Sequence, residues 1–267
     1  MSIHTYLNSH SGPCYEAKWA HPKFENVIAT CGFDKKINIW KEVRLGQWDR
    51  VFSFEAKVAV NTVAWAPWEY GLVLAAGVSD GKVLIISRKP DDTWYQTEFI
   101  ADNSGVLAVS WGPASQPTML SVSGEPTFTL PPKRLVVGSM SNHLRIFVQR
   151  ESTFEKEWDN LTHKDWIRDV AWASNIGLNE ETIASCSEDG TLIVWRCVNS
   201  KELKYSDWKS ITTTKSTFPA WKVSWSHVGH MLAVSYGDNQ VKIFKEENEQ
   251  TFSLVSETDE DGQLKEK

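Results

Sequence analysis

Several features that would place this chain in a familiar class of protein are absent from its sequence. No apolar run approaches the roughly 20 residues that are needed to cross a bilayer. The opening residues, MSIHTYLNSH, lack the basic start and the apolar stretch of a signal peptide. The four cysteines show no C-x-x-C spacing, which disfavours a zinc ribbon or a thioredoxin-type site. We therefore expect a protein of the cytosol or nucleus with reduced, partly buried cysteines.

Strings that bind phosphates or metal ions are missing too. The glycines form neither G-x-x-x-x-G-K nor G-x-G-x-x-G. The seven histidines include no H-x-x-x-H pair, so a metal site on a helix is unsupported. We expect neither a cofactor nor a bound metal.

Basic clusters are also absent. The net charge is −6, and the residues after Phe244 account for −5 of it, with eight acids and three lysines. The remaining, nearly neutral body argues against direct nucleic-acid binding, which requires phosphate neutralisation. Residues 256–267, SETDEDGQLKEK, are predicted to be an acidic disordered tail, with a docking role as the alternative. Without a polybasic run or lipidation motif, membrane association should be indirect.

Tryptophan, in contrast, is abundant, with fourteen copies, and it marks a repeat. In five segments an apolar strand ends at a tryptophan followed by Ala, Gly or Ser. These tryptophans are called the anchors here, and they are Trp19, Trp65, Trp111, Trp172 and Trp225. A second apolar strand, a polar turn and an alternating third strand follow each anchor. The turn residue, six positions before the end of the third strand, is Asp34, Asp80, Ser141, Asp189 or Asp238.

The repeat predicts the fold class. Anchors lie 46, 46, 61 and 53 residues apart, near the roughly 40–45 of a propeller blade once loops are allowed for. Segments such as RVFSFEA and WYQTEFI would supply a fourth, outer strand to each unit. Short, evenly spaced strands with almost no helical periodicity predict an all-β protein, a β-propeller of the WD-repeat type with five recognisable four-stranded blades. We expect a single domain over residues 1–255.

One part of the repeat resembles a catalytic triad. His163, Ser185 and Asp189 are the residue types of nucleophilic hydrolysis. The same spacing recurs earlier in the chain, however, and in both places the third strand ends in tryptophan. The two sets, or tetrads, are His10, Thr30, Asp34 and Trp40, and His163, Ser185, Asp189 and Trp195. An enzyme has no need for two triads, so we interpret both tetrads as buried hydrogen-bond networks and predict no catalytic residues.

Two other groups of residues leave alternatives open. Asp165, Arg168 and Asp169 begin a strand, where they would form a local salt bridge or a surface contact rather than acid–base machinery. The tryptophans outside the anchors could contact partners, or they could be partly buried between blades. Those concerned are Trp68, Trp158 and Trp166.

With these residues in hand, the chain resembles the Sec-thirteen family. The strings that carry the resemblance are WAHPKFENVIATCGFDKKINIWKE, HKDWIRDVAWASNIGLNEETIASCSEDGTLIVW and AWKVSWSHVGHMLAVSYGDNQVKIFKE. The resemblance implies a WD-repeat scaffold in the outer coat of vesicles that leave the endoplasmic reticulum, and in the Y-shaped complex of the nuclear pore. It also implies an open six-bladed ring, closed by a blade that a large helical coat or nucleoporin subunit donates in trans, with other coat or pore subunits as further partners.

The chain departs from that pattern in its number of blades. Only five units are visible, and residues 3–8, IHTYLN, fit the outer strand of a missing first blade. Residues 250–255, QTFSLV, fit the outer strand of the last blade. An open ring exposes strand edges that a partner could cover. The candidate edge residues are Ile3, Tyr6, Leu7, Trp221, Val223 and Trp225.

Two other functions compete with the scaffold. A WD-repeat ring could bind peptides as an adaptor, for which the sequence offers only the scattered residues Phe33, Lys35, Lys36 and Trp166. A propeller hydrolase would use His163 as its base, which the duplicated tetrad disfavours. The scaffold function is favoured over both.

Overall fold

A computed structural model describes residues 10–114, 130–174, 180–198, 208–247, 251–258 and 263–266. Across these residues the chain consists of β-strands and two 3-10 turns, Pro22–Phe24 and Trp68–Tyr70. No helix in this part of the chain is long and apolar enough to span a membrane. The segment 3–8, with the candidate edge residues Ile3, Tyr6 and Leu7, lies outside the described residues.

The strands form five sheets, called blades 1 to 5. Each blade is built from strands that follow one another in the sequence. Blade 1 contains β1 (Cys14–Trp19), β2 (Val27–Gly32), β3 (Lys36–Arg44) and β4 (Gln47–Glu55). Blade 2 contains β5 (Val60–Trp65), β6 (Val73–Val78), β7 (Lys82–Arg88) and β8 (Trp94–Ile100). Blade 3 contains β9 (Val106–Trp111), β10 (Arg134–Ser139), β11 (His143–Arg150) and β12 (Thr153–Leu161).

Blade 4 contains β13 (Ile167–Trp172), β14 (Glu180–Ser187), β15 (Thr191–Val198) and β16 (Lys209–Lys215). Blade 5 contains β17 (Ala220–Trp225), β18 (Met231–Tyr236), β19 (Val241–Glu247), β20 (Thr251–Thr258) and β21 (Leu264–Glu266). The chain divides into two compact units, residues 1–109 and 110–267. Blades 1 and 2 belong to the first unit, and blades 4 and 5 belong to the second.

The order of strands within each blade follows from their composition. The second strands β2, β6 and β18 are mainly apolar, and β6 and β10 are buried at every residue. The outer strands β4 and β8 are largely exposed and carry polar residues. A strand that is covered on both faces needs a continuous apolar run, whereas an outer strand faces water. The five anchors all end first strands, as the repeat predicts.

The turn between the second and third strands is the same in all five blades. The residue after the predicted turn residue has a positive φ; these residues are Lys35, Gly81, Asn142, Gly190 and Asn239. In the four blades whose turn residue is an aspartate, its Oδ1 accepts the backbone N–H two residues further on. Aspartate followed by glycine or asparagine suits this turn, because the carboxylate closes it and the next residue tolerates the left-handed region.

The chain's last described segment corrects one expectation. Residues 256–267 were expected to be disordered, but β20 extends to Thr258 and Leu264–Glu266 pairs with it antiparallel. Ser256 Oγ also donates a hydrogen bond to the Lys265 carbonyl at 2.9 Å. The outer edge of a blade offers unpaired backbone groups, and a short strand satisfies them despite its acidic composition.

No disulfide joins the four cysteines, all of which lie in the described part of the chain. Cys31, Cys186 and Cys197 are buried and Cys14 is exposed. The expectation of partial burial is thus met by three of the four.

Candidate functional site

The first tetrad ties the segment before β1 to the turn after β2. His10 Nδ1 lies 2.8 Å from Asp34 Oδ1, and His10 Nε2 lies 2.9 Å from Thr30 Oγ1. Ser11 donates its backbone N–H to Asp34 Oδ2 at 3.0 Å. Burial raises the pKa of the Asp34 carboxyl, but the hydrogen bonds from His10, Ser11 and Lys36 outweigh it and leave the pKa below its ordinary value. This carboxylate therefore stays ionised within the network.

Trp40, the fourth member of this tetrad, is buried but does not join the network. Its indole Nε1 has no hydrogen-bond partner among the described residues. Blade 1 thus contains a network of three predicted residues, with the tryptophan packed nearby through its ring.

The second tetrad contains all four predicted residues and one more. Trp195 Nε1 donates to Ser185 Oγ at 3.3 Å, and Ser185 Oγ lies 2.8 Å from His163 Nε2. At the other nitrogen of the imidazole, His163 Nδ1 lies 2.7 Å from Thr191 Oγ1. Thr191 Oγ1 in turn donates to Asp189 Oδ1 at 2.5 Å. His163 lies 3.7 Å from that oxygen, so the threonine relays the contact.

The surroundings of His163 keep its imidazole neutral. The side chain is 0% exposed, and burial lowers its pKa to about 4, although Asp189 acts in the opposite direction. Burial raises the pKa of Asp189, but the bonds from Thr191 and the Lys164 backbone outweigh this and the net shift is downward. Ser185 is 0% exposed, so a substrate has no access to its hydroxyl. The arrangement is a buried structural network.

The charged residues near the start of β13 separate into different roles. Asp165 accepts the backbone N–H of Trp166 at 2.8 Å. Arg168 pairs with Glu188 rather than with either aspartate, and its guanidinium lies over the rings of Trp166 and Trp221 at 5.2 and 4.8 Å. The salt bridge of Arg168 is therefore made with Glu188, outside the cluster that the sequence suggested.

Asp169 instead joins two blades. Its Oδ2 accepts the backbone N–H of Val223 in blade 5 at 3.1 Å. The junction of blades 1 and 2 has the same contact, because Glu16 Oε2 accepts from the backbone N–H of Val63 at 2.9 Å. Glu16 also accepts from the Thr62 hydroxyl at 2.7 Å. Both acids lie three residues before an anchor, in the two blades that carry a tetrad.

A second contact repeats at the same two junctions. Trp65 Nε1 donates to the carbonyl of Lys18 at 2.9 Å, and Trp225 Nε1 donates to the carbonyl of Ala171 at 2.9 Å. In both cases the acceptor directly precedes the anchor of the preceding blade. These junction contacts were missed from the sequence, although the recurrence of an acid three residues before Trp19 and Trp172 was a visible signal.

The candidate partner-edge residues in β17 differ in accessibility. Trp221 is 41% exposed, whereas Val223 is buried and its N–H is bonded to Asp169. Trp225 donates to Ala171 and packs against Phe252, with the rings 5.4 Å apart. Val223 and Trp225 therefore already contact other parts of this chain. The role of these residues in partner binding stays a prediction.

The remaining aromatic candidates differ in how far they are packed against other residues. Trp158 packs between Trp195 and Trp208, at 5.4 and 6.4 Å between ring centroids. Trp68 and Trp166 are each 38% exposed. The interpretation as packing therefore fits Trp158, and the interpretation as partner contacts stays open for the other two.

The adaptor candidates Phe33, Lys35 and Lys36 lie together in and beside the β2–β3 turn. Phe33 is 59% exposed, and Tyr15 lies against its ring at 6.5 Å. Within the described residues, no group of three His, Cys, Asp or Glu side chains is placed to hold a metal ion.

Four four-stranded blades and one five-stranded blade, two of which contain a His–Ser/Thr–Asp network, define a WD-repeat β-propeller. A family model described as "WD domain, G-beta repeat" matches residues 156–196. A second, the WD40 domain of anaphase-promoting complex subunit 4, matches residues 178–262.

Comparison with curated proteins narrows this class. The Drosophila melanogaster "Protein SEC13 homolog" is 37% identical over 91% of this chain and 68% of its own length. "Protein transport protein SEC13" of Cryptococcus neoformans is 36% identical over 94% of this chain and 82% of its own length. The Emericella nidulans protein of that name is 36% identical over 95% and 83%. The chain belongs to the SEC13 family of WD-repeat proteins and is not an enzyme.

Proposed function

We propose that this chain is a structural scaffold subunit of the outer vesicle coat in transport from the endoplasmic reticulum to the Golgi. The observation that carries the proposal is 36% identity, over 94% of the chain, to a protein named as a transport protein. Its buried polar groups support the same role, because they link strands and blades instead of lining an open cleft. Rigid stacked blades suit a subunit whose task is to hold partners in place.

The scaffold is proposed to bind a large helical partner that contributes a β-blade in trans. A second assembly, the Y-shaped complex of the nuclear pore, is proposed to use the same binding mode with a different helical partner. The chain would then lie at endoplasmic-reticulum exit sites, on coated vesicles and at the nuclear envelope. Its membrane contact would be indirect, through other coat or pore subunits.

Co-expression with the blade-donating segment of the large coat partner from the same organism tests this function. A one-to-one complex that elutes together from a sizing column is the expected result. The matched control is the same helical partner without its blade segment, which should elute separately. Repeating the experiment with the corresponding nucleoporin segment tests the pore assembly independently.

A folded, soluble chain that binds neither segment would contradict the scaffold function. One observation would then favour the alternative, a peptide-binding adaptor. Trp166 and Trp221 are exposed by 38% and 41% and flank the Arg168 guanidinium, which is a combination suited to holding a peptide. Replacing both tryptophans with alanine should then abolish peptide binding without affecting folding.

A further inference from the structure

In blade 2 a small residue occupies the histidine position of the tetrads. Ala56 lies nine residues before its anchor, as His10 and His163 lie nine residues before theirs. The hydroxyl position, four residues before the turn aspartate, is also an alanine, Ala76. The aspartate itself, Asp80, is retained in the turn between β6 and β7. Blade 2 therefore keeps the acid of the network without the histidine and the hydroxyl.

The Asp80 carboxylate has fewer hydrogen bonds than its equivalents in the tetrads. Its Oδ1 accepts the backbone N–H of Lys82 at 3.3 Å, which closes the turn. In both tetrads the other carboxylate oxygen accepts the backbone N–H of the residue after the histidine, at 3.0 and 2.7 Å. That residue is Lys57 in blade 2, and no described residue donates a hydrogen bond to Asp80 Oδ2. This oxygen can therefore accept from a bound group.

A cavity of about 220 Å³ lies beside Ala56 and Asp80, the positions whose side chains meet in the tetrads. Its apolar lining includes Phe54, Val78 and Leu84, and the last two of these are buried. The volume is below the roughly 300–1,000 Å³ of pockets for drug-sized ligands. This space, called the blade 2 cavity, therefore suits a single side chain.

The charges around the blade 2 cavity favour a cation. Three acids and two lysines line it, which gives a net charge of −1. Lys82 forms its ion pair with Glu98 rather than with Asp80, since its Nζ lies 2.6 Å from Glu98 Oε1. Lys57 is exposed and forms no ion pair within the described part of the chain. Asp80 thus lines the cavity without a paired cation.

We propose that the blade 2 cavity binds an arginine side chain of a partner protein, an interaction that goes beyond the scaffold function and does not depend on blade donation. The guanidinium donates to Asp80 Oδ2, and the methylene stem lies along Val78 and Leu84. Blade 1 provides the precedent, because an imidazole nitrogen of its own histidine lies 2.8 Å from the equivalent carboxylate.

Two features of the lining select an arginine that is held in a peptide chain. A planar guanidinium matches a carboxylate and packs on an aromatic ring such as that of Phe54, whereas the ammonium of lysine is more strongly hydrated. Glu55 and Glu98 are exposed residues of the lining. They would repel the carboxylate of free arginine, and a peptide-bound arginine lacks that charge.

Titration with a short capped peptide, acetyl-Gly-Ala-Arg-Ala-Gly-amide, tests the site by NMR. The amide signals of Ala56, Lys57 and Asp80 should shift with a Kd of about 1 mM, as suits a single bound side chain. The same peptide with citrulline has the shape of arginine without its charge, and it should bind at least about 10-fold more weakly. A lysine peptide should also bind more weakly than the arginine peptide.

Variants of the chain locate the site. Asp80→Asn removes the charge but can still close the turn, and it should weaken binding of the arginine peptide about 10-fold. Asp238→Asn is the matched control, because it makes the same change in the turn of blade 5, where Asp238 Oδ1 accepts the Gln240 N–H at 3.1 Å. It should bind like the wild type. Ala56→His places an imidazole at the cavity and should block the peptide, with thermal unfolding as the check that the variant is folded.

Several results would overturn the proposal. These are the absence of shifts in the wild type, equal binding of the citrulline or lysine peptide, and unchanged binding by Asp80→Asn. Free arginine that binds as tightly as the peptide would show a site for a small molecule instead of a partner's side chain. None of these results affects complex formation with the helical partner, so the failure of this proposal and that of the scaffold function are distinguishable.

Discussion

Blades 1 and 4 carry the same four-residue spacing, yet they build different networks from it. In blade 1 the histidine contacts its aspartate directly, at 2.8 Å. In blade 4 the corresponding distance is 3.7 Å, and Thr191 bridges the gap. The residue two positions after the aspartate decides this, because it is Lys36 in blade 1 and Thr191 in blade 4. The spacing of residue types therefore determines which side chains come together, and the residue two positions after the aspartate determines whether the histidine contacts that aspartate directly or through a threonine.

The threonine relay also orders the protons in blade 4. Trp195 donates to Ser185, whose hydroxyl can donate to His163 Nε2. His163 Nδ1–H can then donate to Thr191, which donates to Asp189. This chain of donors requires one proton on the imidazole, which agrees with a pKa of about 4. Every polar group between Trp195 and Asp189 is satisfied, as a buried network requires.

Replacing each of the two histidines in turn should give the largest difference in stability between the networks of blades 1 and 4. His163→Ala removes the imidazole's bonds to Ser185 and Thr191 and opens a cavity, so we expect a loss of about 3 kcal/mol in the free energy of unfolding. His10→Ala should cost about half as much, since Asp34 retains its bonds from the Ser11 and Lys36 backbone. Chemical denaturation of the two variants beside the wild type measures both values.

His163→Gln serves as the control for volume, since glutamine fills part of the cavity and can form some of the bonds. It should fall between the wild type and His163→Ala. Equal losses for His163→Ala and His10→Ala would contradict the distinction between the two networks.

The pH dependence of stability should follow His163. Because its pKa is lower in the folded chain than the ordinary 6.5, the unfolded chain takes up the proton first as the pH falls. The stabilisation is complete above about pH 6.5 and is lost progressively toward pH 4, by about 3 kcal/mol in all. Between pH 7.5 and 5.5 the loss should be about 1 kcal/mol. Denaturation curves at these two pH values should show this difference in the free energy of unfolding, and the difference should be smaller in His163→Gln. The same pH dependence in His163→Gln as in the wild type would refute the assignment of the effect to His163.

Much of the fold was predictable because each blade repeats the same physical requirement. The anchors, the apolar second strands and the turn aspartates recur in sequence, so their positions could be predicted without coordinates. The contacts of Thr191 and Glu188 could not, because they depend on which side chains the register brings together. The strand Leu264–Glu266 was missed for another reason: the acidic composition predicted disorder, whereas the unpaired edge of β20 provides a partner.

The accessibility of the first strands was likewise beyond sequence reasoning. Val63 and Ala17 are equivalent positions in the repeat and both are compatible with burial, yet one is buried and the other exposed. The difference depends on which strand lies against each residue. Local patterns define the blade, and the neighbours of the blade define its surface.

The smallest effect that separates blades 1 and 4 should come from their turns. Lys35 has φ 68°, in the region that costs a non-glycine residue about 1–2 kcal/mol, while blade 4 has Gly190 at φ 78°. Lys35→Gly should remove this strain and, after the entropy cost of glycine, stabilise the chain by roughly 0.5 kcal/mol in thermal or chemical denaturation. The reverse change, Gly190→Lys, is the matched control and should destabilise, because a Cβ there would lie 2.4 Å from the Ser216 carbonyl oxygen. A destabilised Lys35→Gly chain would mean that the lysine side chain stabilises its turn by more than the backbone strain costs.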